Sequence, residues 1–386
     1  MSPPVATTPR PASYRPKSSG GRQDAMWLSG RTADPAWEYF DVRGTFGMGV
    51  GEQAARAYAA IEVELARGSQ SFADVTSVTE YVPMGSLRRY GEIEDARVEA
   101  LGGRAVPVRT KVVDRLLHSG AAVEIEVSAH PGAVVSGGDP SRWHRSTVSD
   151  TDELVTLPTL LPIDTEGRIV AAGSLEGQYR YCLERAAELL QPLGLSLANV
   201  VKTLDYSTRP TLADYPFELR KAMLGPVYPT GFGICNAEMH VPGVLLALEV
   251  TASRLPAVPV NPGWSRFKDL AYNPALKIGR LLLLSGFVSM DQGRAWPLHY
   301  GDAVAQAELV YENIGTVLAA AGATPRNLVK VNEYLVPESI PDYAEMSAVR
   351  QRFLGGAEPA ITSSVCTSMQ WPVFLLETIS TAILDG

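Results

Sequence analysis

Three sets of landmarks recur along this chain at the same intervals, and that repetition limits what it can fold into. Gln53, Gln178 and Gln306 each open a stretch of helical periodicity, at separations of 125 and 128 residues. Tyr81, Tyr206 and Tyr334 fall in apolar, strand-like stretches at the same two separations. Glu124, Glu249 and Glu377 do so again, in the last strand-like stretch of each pass. Shared offsets of this kind predict three tandem copies of one supersecondary unit.

Each pass reads as strand, helix, strand, helix, strand. In the first, the elements are expected at 25–30, 52–67, 74–82 and 86–101, closing with 107–129, which reads as two strands joined by a turn. The second pass places them at 167–173, 178–190, 199–206, 214–224 and 243–252. In the third, a strand over 279–286 ends in Ser-Gly. A helix follows from Asp302, a good N-cap, to Ala321, with Gly322 as its stop. Elements at 327–335, 341–354 and 372–383 complete it. The expected domains are a tail at 1–24, a first copy at 25–130, a linker at 131–152, a second copy at 153–255, a linker at 256–264 and a third copy at 265–386.

The hairpin expected at 107–129 carries the most suggestive chemistry. Strand residues alternate between faces, so Arg109 and Lys111 share one face, and Glu124 and Glu126 share one. Cations beside carboxylates can hold an anionic substrate next to a proton-transfer group, or can be ordinary ion pairs on a solvated face. Only this copy has the cation. No Lys or Arg occurs between Lys221 and Arg254, or after Arg352. At the corresponding place stand Gly231 or Ile234 in the second copy, and Ile361 or Thr362 in the third.

Composition narrows the class. A net charge of −8 and a pI near 5.3 argue against nucleic acid as a partner. Three widely spaced cysteines form no disulfide framework and suit a reducing compartment. No apolar run reaches the roughly 18 residues of a membrane span, so a cytoplasmic protein is expected. The proline-rich basic tail reads as disordered. The five histidines lack metal-ligand spacing, and the glycine loop before the first helix lacks a phosphate-binding fingerprint, so no cofactor is expected.

The third copy also carries a family resemblance. QAELVYENIGTVLAAAG at 306–322 and NLVKVNEYLVPESIPDYAEMSAVRQRFLGGAEPAIT at 327–362 resemble the RidA (YjgF) enamine/imine deaminases, as do 27–129 and, more loosely, 154–255. The resemblance implies an α+β, chorismate-mutase-like unit, a mixed sheet backed by two helices. Such units assemble as trimers with clefts between neighbours, so three tandem units imply a covalent pseudo-trimer, or a homo-oligomer if copies pair between chains. It also implies a site. The family arginine after a Pro-small dipeptide is matched by Arg109 after Pro107-Val108, and the glutamate fifteen residues on by Glu124. The family cysteine two residues past the arginine is Lys111 here, and the family asparagine is Ser347. Tyr272, thirteen residues before Ser285-Gly286, matches the family tyrosine and Ser-Gly. The implied site is composite: Arg109 and Glu124 as catalytic pair, with Glu126 as an alternative acid, and Lys111, Tyr272, Ser285 and Gly286 holding a small carboxylate-bearing substrate. The implied activity is cofactor-free hydrolysis or rearrangement of an enamine or imine. A non-catalytic ligand-binding scaffold and a chorismatase-like biosynthetic hydrolase are the alternatives.

Overall fold

The computed structural model describes residues 26–27, 48–118, 120–139, 141–151, 153–208 and 215–385. The tail and the glycine loop as far as Gly47 lie outside them. The first sheet takes β1 (Met26–Trp27), β2 (Val75–Pro83), β3 (Val108–Val113) and β5 (Glu124–Ala129), in the order β1-β5-β2-β3, with β4 (Arg115–Leu116) leaving it. Helices α1 (Val50–Arg67) and α2 (Tyr90–Ala100) back this sheet. The second sheet contains β6 (Val134–Ser136), β7 (Val148–Asp150), β8 (Leu154–Thr156), β9 (Val200–Ser207), β10 (Thr230–Cys235) and β11 (Leu246–Ser253), in the order β10-β9-β11-β8-β7-β6. Its helices are α3 (Leu175–Leu190) and α4 (Phe217–Met223). The third sheet begins with β12 (Ala257–Val260), β13 (Ala275–Ile278) and β14 (Leu281–Leu284). A small ribbon of β15 (Met290–Asp291) and β16 (Trp296–Pro297) precedes α5 (Ala303–Ala320). Then come β17 (Leu328–Leu335), α6 (Tyr343–Leu354), β18 (Ala360–Val365), β19 (Ser368–Met369) and β20 (Leu376–Ile383), giving the order β12-β13-β14-β20-β17-β18.

All three sheets are mixed. The middle strands β2, β9 and β17 pair parallel with β3, β10 and β18, and antiparallel with β5, β11 and β20. The helices pack through apolar stripes. On α1 the stripe is Ala54, Ala57, Tyr58, Ile61 and Leu65, spaced three and four apart and buried against β2 and β5. Burying each large side chain contributes roughly 1.5–3 kcal/mol. A buried ion pair pins the second helix of each layer to the middle strand. Arg97 bonds Glu80 at 2.5 Å, Arg220 lies 3.6 Å from Asp205, and Arg350 bonds Glu333, each with tyrosines alongside.

A second recurring contact fixes the register. Gln53 donates to Gly120 O at 3.2 Å and accepts from Ala122 N at 2.8 Å. Gln178 does the same with Gly243 O and Leu245 N, and Gln306 with Val373 O and Leu375 N. Each clasp holds the loop entering the last strand. Counting forward two residues from Ala122, Leu245 and Leu375 aligns Glu124 with Ala247 and Glu377. Glu249 therefore stands level with Glu126 and Ile379, so its expected equivalence with Glu124 is two residues out. The cross-strand partners agree: Glu124, Ala247 and Glu377 lie opposite Tyr81, Tyr206 and Tyr334.

Two further expectations are corrected. The 107–129 segment is not a hairpin, because β3 and β5 flank β2 on opposite sides. The chain leaves β3 through β4, which pairs instead with β18 of the third sheet, and returns to the far side of β2. Residues 167–173 form turns with one isolated bridge, Ile163–Ile169. The strand beside β11 is β8, upstream of them. The sheets also exchange short strands elsewhere: β19 pairs with β10, and Asn236 Nδ2 donates to Val112 O at 2.7 Å.

Candidate functional site

A cleft of about 620 Å³ lies between the second and third sheets. β10 supplies Gly231, Phe232 and Gly233 to one wall. The other wall holds Tyr272, Gly286 and Phe287, with Glu377 from β20 and the loop around Trp371. Glu377 is 8% exposed and accepts no hydrogen bond among the described residues. Burial in this aromatic cleft pushes its carboxyl up to about 8, with the Arg266 charge pulling the other way. At neutral pH the group is therefore mostly protonated and can donate.

Two glycines make room for it. A Cβ on Gly286 would stand 2.1 Å from Glu377 Oε1 and 2.8 Å from Phe232 Cδ2. A Cβ on Gly231 would stand 3.2 Å from the Tyr272 ring. Arg266, in the short helical turn Ser265–Lys268, supplies the cation. It donates to Gln292 Oε1 at 3.0 Å and Tyr272 Oη at 3.2 Å, stacks over Phe267, and makes no ion pair among the described residues. A guanidinium with only neutral partners retains its charge for a substrate carboxylate.

The expected site residues divide between places. Tyr272 and Gly286 line this cleft. Ser285 is buried behind it. Its hydroxyl donates to Asn273 O at 2.5 Å and accepts from Gly231 N at 3.0 Å, while Gly286 N donates to Gly231 O at 2.9 Å. Those groups join β10 to the third sheet and leave no donor aimed at a ligand. Arg109 and Lys111 line a second cavity of about 100 Å³, where the three sheets meet. Arg109 donates to Leu157 O at 3.0 Å, Val250 O at 2.9 Å and Thr251 Oγ1 at 2.8 Å. Lys111 Nζ bonds Tyr334 Oη at 3.0 Å and lies 3.8 Å from Glu249 Oε2. Its ammonium stays charged despite burial because Glu249, Tyr334 and Glu126 surround it.

Glu124 is buried and lines neither cavity. It sits two strands across and two residues along from Arg109, roughly 12 Å between backbones. Glu126, the alternative acid, is held as a carboxylate: burial raises its pKa, and Lys330, Lys111 and Thr362 more than reverse that. The structure thus does not bring Arg109 and Glu124 to Tyr272 and Gly286.

Sequence reading missed Arg266 and the role of Glu377. Glu377 is one of the three glutamate landmarks, but its own copy has no arginine at the expected station to mark it as a site residue. Arg266 lies near a proline-rich stretch with no motif around it. At the arginine's own station, level with Tyr81, Tyr206 and Tyr334 less two residues, the second and third sheets carry Phe232 and Thr362. Thr362 was one of the expected candidates; Phe232 replaces Gly231 and Ile234. Cys182, Cys235 and Cys366 are buried thiols that form no disulfide with one another. Among the described residues no group of His, Cys, Asp or Glu is placed to hold a metal, and no helix is long and apolar enough to cross a membrane.

Residues 267–384 match the family model described as Endoribonuclease L-PSP. A RutC family protein of Pyrococcus abyssi is 30% identical over 115 residues, which is 30% of this chain and 81% of the relative. The Schizosaccharomyces pombe protein mmf2, described as mitochondrial, is 37% identical over 92 residues, 24% of this chain and 69% of its own. Among solved structures, a RidA from an Antarctic Psychrobacter is 26% identical over 29% of this chain and 88% of that one, with a TM-score of 0.27. A chorismatase is 14% identical over 80% of this chain and 93% of that one, with a TM-score of 0.49.

Proposed function

We propose, of a chain that belongs to the RidA family (RutC, endoribonuclease L-PSP), that it is a cofactor-free acid–base enzyme acting on carboxylate-bearing enamines or imines in the cleft between its second and third sheets. We read the chain as three tandem RidA-like units closed into a pseudo-trimer. The recurring glutamine clasp, the three buried Arg–acid pairs and the strands passed between sheets support that reading.

The observation that carries the functional reading is Glu377, a carboxyl without a hydrogen bond among the described residues, in an aromatic cleft beside an unpaired arginine. Protonated Glu377 gives its proton to the β-carbon of an enamine, leaving an iminium ion. The resulting carboxylate then takes a proton from water as the oxygen adds to the C=N carbon. The carbinolamine hydroxyl then gives up its proton as a proton is delivered to the nitrogen; the C–N bond breaks, a C=O bond forms and ammonia leaves. One water is consumed and one ammonia released. Arg266 holds the substrate carboxylate, and Tyr272, bonded to Arg266, orients it.

A second reading has its own support. The cleft is much larger than a three-carbon imine needs, and its walls include Phe232, Phe267, Phe287 and Trp371. A ring-bearing carboxylate hydrolysed by protonation of an enol ether, as in a chorismatase-like enzyme, uses the same acid and the same arginine.

The test is ammonia release from imines generated in place from a series of amino acids, small and aromatic. Expected are activity in the wild type, a rise in KM of about tenfold in Arg266→Ala, and loss of turnover in Glu377→Gln. Keto-acid release from an enol ether, without ammonia from any imine, selects the second reading. No turnover of either class leaves a ligand-binding scaffold.

A further inference from the structure

We propose that the cavity where the three sheets meet is a binding site for a small inorganic oxyanion of the phosphate or sulfate class, held by Lys202 and Arg109. The cavity encloses about 100 Å³. One water molecule needs a cavity of roughly 10–15 Å³, so this one has room for a tetrahedral oxyanion. Four cations line it: Arg109, Lys111, Lys202 and Lys330. Two carboxylates oppose them, Glu249 in the lining and Glu126 beside Lys330. With every lysine protonated, the balance is two positive charges in excess.

Strand register shows which cations are in excess. Lys202 and Lys330 each lie four residues before a middle-strand tyrosine, and Ser77 holds that station before Tyr81. Lys330 is answered from the first sheet by Glu126 Oε2 at 3.0 Å. The stations level with Glu126 carry Glu249 and Ile379. Continuing round the axis, Glu249 answers Ser77, and Ile379 answers Lys202. The serine has no charge to give Glu249, whose two oxygens accept no hydrogen bond among the described residues, and the isoleucine has none to give Lys202. Among the described residues Lys202 has neither hydrogen bond nor ion pair. Glu249 is left to Lys111 at 3.8 Å. Among the described residues Arg109 hydrogen-bonds only carbonyls and a hydroxyl.

A buried, unanswered cation either gives up its proton or takes a counter-ion. Arg109 does not deprotonate. Lys202 is pushed down to about 7 by burial, then by repulsion from Lys330, Lys111 and Arg109, with Glu249 opposing. An oxyanion reverses that repulsion and gives the Arg109 fork a charged acceptor. Threonine and serine hydroxyls from the same walls, such as Thr156 and Thr381, supply further donors. The site is independent of the reaction proposed for the outer cleft.

The test is titration of the full-length protein with inorganic phosphate and with sulfate, by calorimetry and by melting temperature, at ionic strength held constant with sodium chloride. Wild type is expected to give saturable heat and a rise in Tm. Lys202→Met is expected to weaken the response at least tenfold. Ile379→Glu places a carboxylate at the station answering Lys202 and is expected to abolish the response while folding normally without the ion. No saturable heat in the wild type, or an undiminished response in a folded Lys202→Met protein, overturns the proposal.

Discussion

The junction between the second and third sheets and that between the first and second share one framework but differ in chemistry. In the former, Gly286 N donates to Gly231 O and Phe287 bridges Thr378. In the latter, Thr159 N donates to Val108 O and Leu160 bridges Leu248, atom for atom the same arrangement. Three of the side chains that differ matter most to the chemistry. Where the first has Glu377, the second has Ala247. Thr159 stands for Gly286, and Arg145 for Tyr272. Arg145 donates to Val108 O at 3.0 Å, Thr110 Oγ1 at 2.8 Å and Tyr90 Oη at 2.7 Å, and Trp143 stacks on Tyr90 with ring centroids 5.0 Å apart. The segment between β6 and β7 thus fills one junction, and the other is open with an acid inside. The backbone frame makes either outcome available; the side chains at these stations decide which.

The largest expected effect contrasts the glutamates at equivalent stations. Glu377→Gln removes the proton donor and is expected to lower kcat by roughly 10²–10⁴-fold, with Glu124→Gln close to wild type in the same ammonia-release assay. An equal loss in Glu124→Gln would return the chemistry to the first sheet. A smaller effect is on stability against pH. The Glu377 carboxyl is raised from 4.5 to about 8 in the fold, so the folded state holds its proton more tightly than the unfolded chain. Its contribution is full below about 4.5 and is lost as pH rises through about 8. Wild type is therefore expected to lose a few kcal/mol, roughly, over that range relative to Glu377→Gln, read as a widening gap in denaturation midpoint. Parallel curves would mean that the carboxyl ionises normally. The smallest change is Gly286→Ala. Its methyl group meets the Glu377 oxygen and the Phe232 ring, at a cost of about 1–3 kcal/mol and with displacement of the acid. Full activity together with unchanged stability would show that the close approach is not required.

Much of this frame was legible from sequence. The start of α5 was readable because Asp302 caps it, accepting from Ala305 N at 2.9 Å. The middle strands were readable from their apolar runs, and the three glutamines because one side chain does the same work three times. Partnering between strands was not readable. Alternation places Arg109 and Lys111 on one face, but it does not say that β2 lies between them and Glu124. The two-residue slip at Glu249 also escaped, because the segment from β9 to β10, which carries the short α4, is two residues shorter than its counterparts and a glutamate falls by coincidence at the constant offset. The cleft escaped for a different reason. Glu377 acquires its chemistry from what excludes water around it, and Arg266 reaches it from a turn with no periodic signature.

The strands handed between sheets bear on how the molecule comes apart. β4 and β19 are two residues long, and each is completed by a sheet other than the one its own segment builds. Opening the third sheet strips β4 of its partner and uncovers the edge of β10. Local fluctuation is thereby tied to the whole: loss of one layer unpairs backbone in the other two, and the three behave as one cooperative unit.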